Sequence, residues 1–301
     1  ELYGLLALHR SPTDSQATTK IAQPKLSAQA APASRPLAYD PPAIGGLLVL
    51  PALFMSGSDE IQGTPNLESE NGASEQFMAQ LATKGRGYVV GSYARKVAAG
   101  NFHTVAMADP TGKIIARYDA THLSPNSEWA KPGNNFAVVP TAIGRIGLTL
   151  GEELVVPEVF GHLSSQRADI IAAPARQTSA LPLQIDSKLF AVPNPKDTPY
   201  DAYVAAMLSQ TWVVTAGWHG KTPSSWIFGP DPVIHSAPMT NAAKESRVER
   251  KVKIPWAGTW INQQQLIAGQ RPETTIPLAL DPQGACYQEW RRSAGWKPAC
   301  W

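Results

Sequence analysis

The stretch GRIGLTLGEELVVPEVFGHLSSQRADIIAAP, residues 144–174, decides the fold class. Ile146 to Leu150 is a short apolar run of strand length. Pro157 to Arg167 follows with helical spacing and a proline at its start, where a missing N–H costs nothing. Ile170 to Ala173 is a second buried run, ended by Pro174. Strand, helix and strand inside thirty-odd positions is the pattern of an α/β sheet protein.

The same alternation extends to both sides. Upstream, Leu47-Leu48-Val49-Leu50 reads as a strand buried on both faces and stopped by Pro51. Residues 74–84 place Phe77, Met78 and Leu81 at helical spacing, with Ser74 as N-cap candidate and Gly85 and Gly87 as stops. Tyr88–Tyr93 and residues 102–108 are strands. The turn Asp109-Pro110-Thr111-Gly112 returns the chain through Lys113–Tyr118. Phe136–Pro140 pairs with Ile146–Leu150 around the Ala142–Arg145 turn. Downstream, Tyr200–Leu208 is helical, Trp212–Ala216 a strand, and Trp226–Phe228 with Val233–Ile234 a further hairpin. An all-helical fold has no support.

Composition narrows the function. Of 301 residues, 43% are apolar and 17% charged, and Lys plus Arg exceed Asp plus Glu by 26 to 24. A net charge of +2 gives no basis for nucleic-acid or anionic-membrane binding. The basic run Lys244, Arg247, Arg250, Lys251 and Lys253 is interleaved with Glu245 and Glu249, which favours a solvated or salt-bridged face. The longest apolar run, Ala43 to Met55, is broken by Gly45, Gly46 and Pro51, so no membrane-spanning segment is expected. The Glu-Leu-Tyr opening shows no signal peptide, which points to a cytoplasmic setting or to a piece of something larger.

Metal and thiol chemistry are constrained by counting. The six histidines, including His103 and His122, form no ligand spacing, and no metal or other cofactor is expected. The only cysteines are Cys286 and Cys300, which can close a disulfide or stay free. No thiol exists anywhere in residues 1–285.

Four segments in order resemble the nitrilase superfamily of carbon–nitrogen hydrolases: LLVLPALF at 47–54, ARYDATHLSPNSEWAKPG at 116–133, GRIGLTLGEELVVPE at 144–158 and SSWIFGPD at 224–231. The resemblance implies an α-β-β-α sandwich over residues 20–255, with units that dimerise through helices. It leaves residues 1–19 as an N-terminal extension, 22–46 as a shortened Pro/Ala-rich segment, and 256–301 as a Trp/Pro-rich extension. That tail holds Trp256, Trp260, Trp290, Trp296 and Trp301, a residue type enriched at protein interfaces.

The resemblance also implies a cysteine nucleophile, a glutamate base and a lysine that steadies the tetrahedral oxyanion. Carried over position by position, the glutamate falls on Ala52, the lysine on Ala120 and the cysteine on Gly151. The expected consequence is a pseudoenzyme, inactive by the family mechanism and retained as a structural or assembly subunit with protein partners or in a homo-oligomer. Two further readings stay open. One is an amide or nitrile hydrolase acting through carboxylates; the other is a small-molecule sensor using the emptied pocket. Glu128 matches a second glutamate of the family, and Glu152 and Glu153 follow the vacated nucleophile position. These carboxylates are either an acid–base pair or scaffold tying loops through backbone amides. His122 is read as a structural hydrogen-bonding residue beside the old pocket.

Overall fold

Apolar strands 4–10 residues long recur along the chain, and in the computed structural model they assemble as two mixed sheets. The structure describes residues 2–9, 45–56, 65–123, 127–176, 200–218, 225–230, 237–238 and 246–253. In chain order the first elements are β1 (Leu2–His9), β2 (Gly46–Val49), β3 (Leu67–Glu68), α1 (Ala73–Gly85), β4 (Tyr88–Val97), β5 (Gly100–Ala108) and β6 (Ile114–Asp119). The next are β7 (Ala137–Thr141), β8 (Gly144–Leu148), α2 (Pro157–Ser165), β9 (Ile170–Pro174), α3 (Tyr200–Ser209), β10 (Trp212–Ala216), β11 (Trp226–Phe228), β12 (Ala237–Pro238) and β13 (Ser246–Lys253).

The first sheet runs β13-β1-β2-β4-β5-β6, with β3 beside β4; the second runs β12-β11-β10-β9-β8-β7. Each has a parallel centre, β1-β2-β4 and β8-β9-β10, flanked by antiparallel strands. The chain divides into two compact units, Glu1–Gln263 and Gln264–Trp301. The second unit, with Cys286, Cys300 and most of the Trp-rich tail, lies outside the described residues.

Period-two alternation decides which side chains meet. Leu47 and Val49 of β2, Val105 and Met107 of β5, and Ile146 and Leu148 of β8 turn into one core between the sheets. Leu48, Val89 and Ala106 turn the other way, onto Met78, Leu81 and Ala82 of α1. On the far side, Ile171 and Val213 pack against Phe160 and Leu163 of α2 and Ala206 of α3. Helix, sheet, sheet and helices thus stack as an α-β-β-α sandwich.

Several local expectations are corrected. Leu2–His9, placed by the sequence in an extension ahead of the domain, is instead a strand inside the first sheet, parallel to β2 and antiparallel to β13. Ser74 lies within α1 rather than capping it. The Glu68 carboxylate supplies the cap, accepting from Ser74 N–H at 2.7 Å and Ser74 Oγ–H at 2.6 Å. At the other end Arg86, not a glycine, takes the left-handed cap (φ +51), and Gly87 N–H closes on Ala82 O. β11 pairs on its outer side with β12, and Val233–Ile234 lie outside the described residues.

Candidate functional site

The three positions that the family motifs single out lie at the ends of core strands. Ala52 follows β2, Ala120 follows β6, and Gly151 opens a 3-10 turn, Gly151–Val155, after β8. All three are buried. The Ala52 N–H donates to Ala175 O at 2.9 Å, and the Trp218 indole N–H donates to Ala52 O at 2.7 Å. Ala175 also bears on Gly151: a Cβ built there falls closer to the Ala175 Cβ than two carbons can approach, and 3.1 Å from its Cα. The nucleophile position therefore has no room for any side chain as the backbone stands.

Leu53, next to Ala52, holds φ at +51, an uncommon conformation for a bulky residue and costly unless its neighbours enforce it. The enforcing contact is Leu53 N–H to Ser92 Oγ, 3.0 Å. Ser92 on β4 is diagonal to His103 on β5, since Ser92 pairs with Val105 and Ala94 with His103. Ser92 Oγ lies 3.0 Å from His103 Nε2. The His103 carbonyl accepts from Ala120 N–H, 2.9 Å. Burial, reinforced by the nearby Arg176 charge, pushes the His103 imidazole down to about 3, so it is neutral at ordinary pH.

Glu152 and Glu153 diverge. Glu153 is fully buried and saturated. Its Oε1 accepts from Tyr118 OH (2.7 Å), Thr121 N–H (2.9 Å), Thr121 Oγ–H (3.1 Å) and His122 N–H (2.9 Å). Its Oε2 accepts from Thr149 Oγ–H and Leu150 N–H, both at 3.0 Å. Burial first, and then the adjacent Glu153 charge, hold the Tyr118 phenol well above its ordinary value. Glu152 accepts one bond through Oε1, from Arg176 N–H at 3.2 Å, while its buried Oε2 has no partner. Desolvation pushes this carboxyl up to about 7.

The remaining positions read plainly. His122 is exposed, with Nδ1 at 2.9 Å from Thr121 Oγ1 and Nε2 at 3.8 Å from Glu158. Glu128 is exposed, on the turn before Trp129. Trp129 packs its ring 5.6 Å from that of His103, and its indole N–H is buried without a partner, as is His103 Nδ1. Ser92, His103, Trp129 and Arg176 were not among the sequence candidates. One signal was available: alternation along β5 puts His103 with Val105 on the core face, where an imidazole needs a polar reason. Among the described residues no group of three or more His, Cys, Asp or Glu is arranged to hold a metal ion. Nor is any helix among them long and apolar enough to cross a membrane.

The carbon–nitrogen hydrolase family model matches residues 45–192. Among curated proteins, the chain is 33% identical to a deaminated glutathione amidase of Yersinia enterocolitica over a stretch covering 23% of this chain and 28% of that relative. It therefore spans well under a third of that protein's length in the match. Among solved structures, Saccharomyces cerevisiae Nit3, a member of branch 10 of the nitrilase superfamily, superposes with a TM-score of 0.61 at 16% identity, covering 90% of this chain and 97% of that one. An amidase mutant from Nesterenkonia sp. AN1, with the acetamide moiety of fluoroacetamide added at its active-site cysteine, gives 0.59 at 13%, covering 91% and 96%. At those identities the structures speak for the fold alone, and they agree with the sandwich described above. Family match, amidase relative and sandwich together make this chain a member of the nitrilase superfamily of carbon–nitrogen hydrolases.

Proposed function

We propose that this chain is a nitrilase-like pseudoenzyme, a non-catalytic carbon–nitrogen hydrolase domain that serves as a structural or assembly subunit with protein partners or copies of itself. The observation that carries the reading is the closure at Gly151, where the Ala175 methyl occupies the space a nucleophile's Cβ would need. The motif positions beside it offer only the methyl groups of Ala52 and Ala120. Without thiolate, base and cation, none of the family's steps has its reagent: nothing attacks the carbonyl, and nothing steadies the oxyanion. Removing one member of such a unit alone forfeits most of the rate. The five tryptophans from Trp256 onward favour a role in assembly, because Trp is the residue type most enriched at interface anchors.

The test is turnover. Purified protein offered a panel of amides, nitriles and carbamoyl compounds is expected to release no ammonia above the blank, and native mass spectrometry of the chain from its source is expected to find it in an assembly. Sustained release would overturn the reading.

A second reading keeps an enzyme. Glu152 carries a buried, unpartnered oxygen and a carboxyl pushed up to about 7, the range of a general base that activates water. The relative named as an amidase favours an amide as substrate. Amide turnover abolished by Glu152→Gln would establish this reading in place of the first.

A further inference from the structure

Three buried polar atoms around the vacated centre have no partner: His103 Nδ1, Trp129 Nε1 and Glu152 Oε2. Each belongs to the immediate surroundings of a motif position. His103 is bonded through its carbonyl to Ala120, Trp129 stacks near His103, and Glu152 follows Gly151. Buried polar groups are almost always satisfied, so three failures around one centre need an explanation.

Their hydrogen-bonding character is one-sided. An indole N–H only donates. Ser92 Oγ already accepts from Leu53 N–H, which leaves its own hydrogen to donate to His103 Nε2. That assignment puts the imidazole proton on Nδ1, making the open nitrogen a donor as well. The Arg176 charge acts on both His103 and Glu152. Glu152 itself is held toward its neutral form by burial, and as an acid it also donates. The lining thus offers donors and a positive field, and lacks an acceptor.

We propose that the vacated centre binds a small carboxylate, held by the N–H groups of His103 and Trp129 and the carboxyl of Glu152 in the field of Arg176. A carboxylate presents acceptors only, and bonds to it are stronger than bonds to a neutral carbonyl. The proposal rests on the reading that no hydrolysis occurs here, and it makes the domain a binder of an acid rather than a processor of its amide.

Propionate and propionamide differ in the required feature and match in size. Isothermal titration of the full chain is expected to give saturable propionate binding, with propionamide at least about tenfold weaker. Trp129→Phe keeps the ring and deletes the N–H; it is expected to weaken propionate by about tenfold or more, the usual loss for a bond to a charged group. His103→Asn reads the same requirement at a second position if the first variant does not fold, as judged by its thermal melt. Equal affinity for acid and amide, no saturable propionate binding, or an affinity unmoved by Trp129→Phe would overturn the proposal. Ammonia released from propionamide during the titration would instead overturn the pseudoenzyme reading, so the two failures are told apart.

Discussion

Glu152 and Glu153 are neighbours in one 3-10 turn, yet they live in opposite chemical worlds. Glu153 is tied to β6, to the loop after it and to the end of β8 by bonds to Tyr118, Thr121, His122, Thr149 and Leu150. Every accepting position on its two oxygens has a use, so its charge is held by the fold. Glu152 turns toward Arg176 and leaves one oxygen unmet. One carboxylate is scaffold; the other is strain held in reserve. The contrast separates the part of the family site that still organises loops from the part that has lost its reagents.

The largest effect is expected from breaking the satisfied side. Glu153→Ala leaves the N–H groups of Thr121, His122 and Leu150 without their acceptor, and it should cost about 3 kcal/mol or more in urea unfolding. A cost below about 1 kcal/mol would mean that water replaces the carboxylate freely.

Glu152 should behave in the opposite sense. Its folded value of about 7 lies above the ordinary 4.5, so the folded state keeps a proton that the unfolded chain has lost. The contribution is complete below about 4.5 and is lost as pH rises through about 7. Glu152→Gln should therefore stabilise the protein at pH 8, by at most about 3 kcal/mol at 1.4 kcal/mol per unit, with the gain shrinking toward pH 5. A gain that does not change with pH would break the comparison.

Filling the closed position comes next. Gly151→Cys forces its Cβ onto Ala175 and should cost about 1–3 kcal/mol, the range for overpacked cores. Adding Ala175→Gly should return most of that cost in a double-mutant cycle, and additive losses would show that the two residues do not touch. The smallest effect belongs to Trp129→Phe. Deleting an N–H that has no partner should change stability by less than about 1 kcal/mol, or raise it, in the same unfolding assay.

Much of the sandwich was legible locally. Leu47–Leu50, Trp212–Ala216 and the helix around Met78 and Leu81 declare themselves by composition and period, and the structure places them as β2, β10 and α1. What escaped depends on distant pairing. β1 gains its place from β13, some 240 positions away, and no local window carries that information. Ser74 looks like a cap, but Glu68 outcompetes it because a carboxylate from the preceding strand reaches both its N–H and its hydroxyl. The motif arithmetic reached Ala52, Ala120 and Gly151 from order and spacing. It did not separate Glu152 from Glu153, whose partners come from β6 and from Arg176 rather than from their own turn.

The central claim is that this nitrilase-fold centre performs no carbon–nitrogen bond cleavage. Its most direct test is a single-turnover experiment, with protein in excess over an isotopically labelled short-chain amide and the released ammonia measured by mass spectrometry. The expected result is labelled amide recovered intact; stoichiometric labelled ammonia, lost again in Glu152→Gln, would contradict the account.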